Sequence, residues 1–108
     1  MQSERGAGWY FGESVVKKFL EANDMDYVVR AHQIALDGYN KHFGGLVLTV
    51  WSAPNYMNRF KNVACVMELD ENKESLFKIF ESAPVEEYNL GKAARAAGSG
   101  GNRFKYFV

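Results

Sequence analysis

The stretch LVLTVW, residues 46–51, decides the fold, because it is almost continuously apolar and rich in β-branched residues. Such a run is typical of a central strand that is covered on both faces. Gly44 and Gly45 come just before it, and two glycines between two β-rich runs indicate a hairpin, since both can adopt positive φ. Residues 34–43 are therefore predicted to form the partner strand.

Downstream of this hairpin, SAPNYMNRF at residues 52–60 is predicted to be a loop, because its proline lacks an amide donor and its asparagines favour turns. Residues 63–69 are predicted to form a further apolar strand. A polar turn at 70–73 then leads into an antiparallel partner at 76–80.

Upstream, ESVVKKFLEAN at residues 13–23 shows the apolar spacing of an amphipathic helix, and residues 27–31 read as a short strand. The sequence therefore predicts an α+β fold: a mostly antiparallel sheet with one packed helix. LVLTVW needs cover on two faces, and one helix covers only one of them.

Composition narrows the class of protein. The 108 residues suit one domain, and the 13 basic and 13 acidic side chains balance, so nucleic acid and membrane partners are not expected. The single cysteine, Cys65, excludes an internal disulfide and is predicted to be a small buried apolar residue. The expected location is the cytoplasm or the nucleus.

The last 20 residues, NLGKAARAAGSGGNRFKYFV at 89–108, are rich in Gly, Ala and Ser and carry four basic side chains with no acidic one. They are predicted to be a flexible basic tail. Residues 1–88 are then the part that builds the core.

Three short stretches have the composition of neither a buried core segment nor an ordinary surface segment: RGAG at 5–8, RAHQ at 30–33 and SAPNY at 52–56. Arg5 beside glycines suits a phosphate, because glycines allow close approach and a guanidinium binds phosphate oxygens in pairs. His32 stands where a strand leaves the sheet, and Tyr56 lies in a turn. Taken singly, each also has an ordinary interpretation: a turn arginine, a hydrogen-bonded surface histidine and a packing tyrosine.

Taken in order, RGAG, FG, RAHQ, GY, SAPNY, MELD and the final YFV resemble the carboxy-terminal third of the phosphoprotein phosphatase family of serine/threonine phosphatases. The resemblance runs over residues 3–84 and resumes at 106–107. It favours the type 2A-like branch with its 4-like and 6-like relatives, and WSAPNY, with Trp51 before the serine, looks closest to the 6-like members.

This resemblance implies a metal-dependent protein phosphatase built on the four-layer α/β/β/α sandwich of the metallophosphoesterases. Two divalent ions, manganese or iron with zinc, activate a water molecule for attack on phosphorus in that family. It implies that His32 is a metal ligand, that Arg5 contacts the substrate phosphate, and that Tyr56 contributes to binding phosphoprotein substrates.

The family motifs GDxHG, GDxxDRG and GNHE are absent from this sequence. We therefore interpret residues 1–88 as an incomplete, carboxy-terminal part of a catalytic domain and assign no catalytic residue within it. Alone it is expected to be inactive, to retain no metal ion, and to self-associate through uncovered apolar sheet. The alternative is a non-catalytic fragment that binds a regulatory or scaffold subunit.

Overall fold

The computed structural model describes residues 1–84, 89, 91 and 92. Residues 1–84 form one α-helix and five β-strands, as the predicted α+β class requires. In chain order the elements are α1 (Glu13–Ala22), β1 (Val28–Arg30), β2 (Tyr39–His42), β3 (Val47–Val50), β4 (Ala64–Leu69) and β5 (Ser75–Phe80). The predicted tail at 89–108 lies outside the described residues apart from positions 89, 91 and 92.

Helix α1 packs one apolar stripe against the sheet. It begins after Gly12, which is extended, and ends before Asn23, whose side-chain amide donates to the carbonyl of Phe19 at 2.7 Å. Val16 and Leu20 are buried in a small core that they share with Val47. The helix is confirmed, but of the four apolar positions in its sequence only Val16 and Leu20 are buried, whereas Val15 and Phe19 are 54% and 49% exposed.

The first sheet has the order β1-β3-β2, with β3 parallel to β1 and antiparallel to β2. Val47, Leu48 and Thr49 are all buried, so the predicted central strand is confirmed. The predicted hairpin is confirmed as well, with Gly44 and Gly45 at φ 68° and 95°. Its first strand is shorter than expected, because the segment before β2 turns away to form an isolated bridge between Asp37 and Val63.

The second sheet pairs β4 and β5 antiparallel, from Ala64 opposite Phe80 to Leu69 opposite Ser75. Asp70 forms the predicted polar turn, since its Oδ1 accepts hydrogen bonds from two turn amides at 2.8 and 2.9 Å. The strands thus divide between two sheets while staying mostly antiparallel.

The two sheets meet at Gly38, which has φ +87°. A Cβ at this position would lie 2.9 Å from Cβ of Cys65 and 3.0 Å from the carbonyl carbon of Ala64, so only glycine fits. Cys65 is fully buried, as predicted, and this burial raises the pKa of its thiol. Nearby, the rings of Tyr39 and Phe77 stack at 4.2 Å.

Much of the apolar surface of the second sheet is exposed. Five of its large side chains are exposed: Val66, Leu69, Leu76, Ile79 and Phe80.

No helix in the described part of the chain has the length and apolar character needed to cross a membrane.

Candidate functional site

Arg5 and His32 meet where β1 ends. The Nη2 atom of Arg5 donates a hydrogen bond to the backbone carbonyl of His32 at 3.2 Å. His32 has φ 72°, a left-handed conformation that histidine adopts more readily than most residues, so the chain turns sharply here. Both side chains are exposed. The imidazole is therefore presented outward at a sharp corner that the arginine holds, and its role as a metal ligand stays a prediction.

Arg30 supports the same corner from the sheet side. Its Nη1 atom donates to Oε1 of Gln33 and lies 3.4 Å from Oγ1 of Thr49. Partial burial, and then the nearby charge of Arg5, lower the pKa of Arg30. Both guanidinium groups therefore lie beside residues 32 and 33.

His42 also belongs to this region. Its sequence context predicts only a surface residue, and it is exposed, but its Nε2 atom lies 3.1 Å from Oγ1 of Thr49. Thr49 is 2% exposed and is thus the shared partner of His42 and Arg30. The sequence alone assigned no role to Thr49 or Arg30, although the alternation along the predicted hairpin could have placed positions 42 and 49 on one face.

These groups line a cleft of about 250 Å³, here named the arginine cleft. Its floor is formed by the cluster just described, and its walls come from aromatic residues of the amino-terminal segment and the β2–β3 hairpin. The residues that matter for its chemistry are Arg5, Arg30, His42, Trp9, Phe11 and Phe43. No aspartate or glutamate lines it among the residues that the structure describes.

Tyr56 sits in the predicted loop between β3 and β4, which contains a short 3-10 turn at Tyr56–Asn58. The loop is organised by the buried side chain of Asn62. Its Oδ1 accepts from the amide of Tyr56 at 2.8 Å, and its Nδ2 donates to the carbonyls of Ala53 and Val63 at 2.9 Å each. Asn62 could not be predicted from the sequence, because an asparagine among polar loop residues carries no signal of burial.

The structure brings Arg5 and His32 together and places Tyr56 in a separate cluster. The ring of Tyr56 meets that of Trp51 edge-on at 4.8 Å, at an interplanar angle of 87°. Within residues 1–84, no hydrogen bond or ring contact joins Tyr56 to either of the other two. The part of Tyr56 in a shared site therefore stays a prediction.

The described residues include no group of three or more His, Cys, Asp or Glu side chains that could hold a metal ion. A single imidazole does not retain a divalent ion, because such sites need several converging donors. The residues present in this part of the chain therefore do not fit a dinuclear centre by themselves.

No family model matches this sequence. Among solved structures, a protein serine/threonine phosphatase from Saccharomyces cerevisiae with similarity to human phosphatase PP5 resembles the chain with a TM-score of 0.66 and 25% sequence identity. The likeness covers 76% of this chain and 29% of that chain, so this chain spans less than a third of the yeast protein. The α+β fold described above is therefore similar to one part of a protein serine/threonine phosphatase.

Proposed function

We propose that this chain is a carboxy-terminal portion of the catalytic domain of a metal-dependent protein serine/threonine phosphatase. The observation that carries the proposal is the hydrogen bond from Arg5 to the carbonyl of His32 at the end of β1, in a chain whose fold is similar to part of such an enzyme. The reaction is hydrolysis of phosphoserine and phosphothreonine monoesters.

Arg5 is the phosphate-binding group in this proposal. A guanidinium carries five N–H donors, and the bond to the carbonyl of His32 uses one of them. The others stay available to bind two phosphate oxygens at once and to neutralise charge as the phosphoryl group transfers. Anchoring on a backbone atom keeps the fork oriented before substrate arrives, which lowers the entropy cost of binding.

His32 supplies one ligand to the metal centre of the complete domain. The remaining ligands for the two divalent ions, manganese or iron with zinc, come from outside this chain, as do the groups that activate water and donate a proton. We therefore expect the chain alone to be inactive and to bind no metal ion usefully.

Tyr56 forms part of the surface that receives the phosphoprotein substrate. Its loop is held by three hydrogen bonds of one buried asparagine side chain, Asn62, so the tyrosine is carried on a fixed support rather than a loose tip. The stretches RGAG and WSAPNY support assignment to the type 2A-like branch.

The test uses the longest reading frame that contains this chain, assayed with manganese on a phosphoserine peptide. We expect turnover by the long protein, loss of activity in His32→Ala, and a kcat/KM about 100-fold lower in Arg5→Gln, as for removal of one oriented transition-state donor. Lys17→Gln, on the outer face of α1, serves as the matched control. A long protein that turns nothing over would favour the alternative, a non-catalytic fragment that binds a regulatory or scaffold subunit.

The chain of 108 residues is assayed beside it. Hydrolysis of a chromogenic phosphate ester by the short chain, abolished in His32→Ala, would contradict the expectation that it is inactive.

A further inference from the structure

The end of the β4–β5 hairpin carries an open groove of about 650 Å³, here named the hairpin groove. Its lining combines three carboxylates with two leucine side chains: Glu68, Leu69, Asp70, Glu74, Ser75 and Leu76. Leu69 and Leu76 are 55% and 57% exposed, so the described residues leave much of their apolar surface uncovered. A groove of this size can hold several side chains of a peptide, because sites for drug-sized ligands measure roughly 300–1,000 Å³.

The hairpin groove carries an excess of negative charge. Glu68 is paired with Lys78 at 2.6 Å. Asp70 accepts hydrogen bonds from the amides of Asn72 and Glu74, which are neutral donors and leave its charge unbalanced. No basic side chain of residues 1–84 forms an ion pair with Asp70 or Glu74. A segment that complements this lining is therefore both cationic and apolar.

The last six residues of the sequence, RFKYFV at 103–108, have this complementary composition and lie outside the described residues. Arg103 and Lys105 are basic, three of the other four residues are aromatic, and none is acidic. Successive side chains of an extended segment point to opposite sides, so Arg103 and Lys105 share one side and Phe104 takes the other. Such a segment can bring charge to the carboxylates and rings to the leucines at once.

The chain between β5 and this segment is long enough for the segment to reach the hairpin groove. Twenty-two residues, 81–102, separate Phe80 from Arg103, and a chain of that length spans up to about 70 Å when extended. Leu76 lies only about 15 Å from Phe80 along β5. Because segment and groove belong to one chain, the effective concentration is high and individually weak contacts are sufficient.

We propose that residues 103–108 bind in the hairpin groove of their own chain, with Arg103 and Lys105 on its carboxylates and the aromatic rings on Leu69 and Leu76. The segment thereby covers part of the exposed apolar surface of the second sheet. Binding of this kind needs no metal ion and no substrate. It therefore does not depend on the proposed hydrolysis.

The experiment places a nitroxide spin label close to residues 103–108 in the full chain. Ser99→Cys supplies the attachment point, and the label spares Cys65 because that thiol is fully buried. We expect the label to broaden the amide NMR signals of residues 68–76, relative to the same sample after reduction of the nitroxide.

Residues 62–64 are the internal reference, because Ala64 pairs with Phe80, from which the tail departs. A segment that is not bound in the groove stays nearer this end of β5 and broadens the signals of residues 62–64 at least as much as those of 68–76. That result, or no broadening at 68–76, would overturn the proposal.

A mixed sample distinguishes binding within one chain from binding to a second copy. Spin-labelled chains without isotope are mixed with isotope-labelled chains that carry no nitroxide, so any broadening comes from another molecule. We expect the signals of residues 68–76 to stay sharp in this mixture. Broadening as strong as in the singly labelled chain would make a second copy the occupant of the groove and refute the proposal.

Charge reversal tests the contact between the segment and the groove. Glu74→Lys and Lys105→Glu are each expected to lower the ratio of bound to free segment about fivefold, because an attraction between exposed charges becomes a repulsion. The double variant restores opposite charges and is expected to recover the broadening. Glu81→Lys, the same change beyond the opposite end of β5, is the matched control. Unchanged broadening in Glu74→Lys, or no recovery in the double variant, would contradict the proposed contact.

Discussion

The strands of both sheets are rich in apolar residues, and the two sheets differ in how much of this apolar surface they bury. In the first sheet, three successive residues of β3 are buried, and α1 covers one end of the sheet. In the second sheet, only Ala64 and Cys65 are buried, while Val66, on β4, is 45% exposed. An apolar strand in the sequence thus indicates that its side chains need another element to pack against. It does not indicate which element that is.

The difference bears on the proposed function. A sheet with uncovered apolar faces is unusual in a complete monomer and is common where a further element packs. The chain spans 29% of the phosphatase that it resembles, so the exposed faces of β4 and β5 agree with a fold of which this is one part. Variants that change the boundary between the two sheets, or the cover of either one, test the comparison directly.

Gly38, where the two sheets meet, is the position at which we expect a substitution to reduce stability the most. Gly38→Ala would force a Cβ to within 2.9 Å of Cys65 at φ +87°, so both overpacking and backbone strain apply. We expect a loss of about 3 kcal/mol in the free energy of unfolding, measured by urea denaturation. Gly44→Ala is the control, since it shares a positive φ and meets nothing within 4 Å. A loss no larger than that of the control would show that the two sheets can separate freely.

The loop between β3 and β4, which connects the two sheets, is where we expect the next largest loss of stability. Asn62→Ala removes three hydrogen bonds and takes this partner from the amide of Tyr56 and the carbonyl of Val63, whereas the carbonyl of Ala53 still accepts from Nε1 of Trp51. We expect a loss of about 2 kcal/mol in urea denaturation, and a shift in the fluorescence of Trp51, which packs on Tyr56. The exposed Asn72→Ala serves as the matched substitution. Equal stability of the two variants would mean that the loop does not need its buried amide.

The same Val→Ala substitution in both sheets compares how well each sheet is packed against its neighbours. Val47→Ala leaves a cavity in the packed first sheet and is expected to cost about 2 kcal/mol, whereas Val66→Ala is expected to cost less than about 0.7 kcal/mol because the side chain is half exposed. Thermal and urea unfolding of the two variants give the values. Comparable losses would show that the second sheet is covered in solution, for example by a second copy of the chain.

The smallest effect on stability is expected at the exposed edge of the second sheet. Leu76 is 57% exposed on β5, which pairs with β4 alone within the described residues. Leu76→Lys should change the free energy of unfolding by less than about 0.5 kcal/mol, and it should reduce the self-association that unpaired apolar edges promote. Sedimentation over a range of concentrations measures the association. Unchanged association in this variant would indicate that the chains contact each other through another face.

Local patterns were enough for most of the secondary structure. The apolar spacing around Val16 and Leu20 predicted the helix and part of its covered face, and the Gly44-Gly45 pair predicted a turn with positive φ at both residues. Helical spacing and turn glycines depend on contacts between residues a few positions apart. Both can therefore be predicted without knowing the rest of the fold. For the site, the sequence pointed to Arg5 and His32, and the structure brings them into contact.

Other features needed the tertiary structure, because they join residues far apart in the chain. The sequence by itself determined that this is an α+β chain with a buried central strand, a histidine at a strand end, and phosphatase-like motifs. Packing alone decided that Gly38 must approach Cys65, that Asn62 is buried, and that Thr49 gathers Arg30 and His42 into a charged cleft. The reason is physical: periodicity sets which face a side chain occupies, whereas its partners are set by how separate segments stack, and that depends on the whole set of contacts at once.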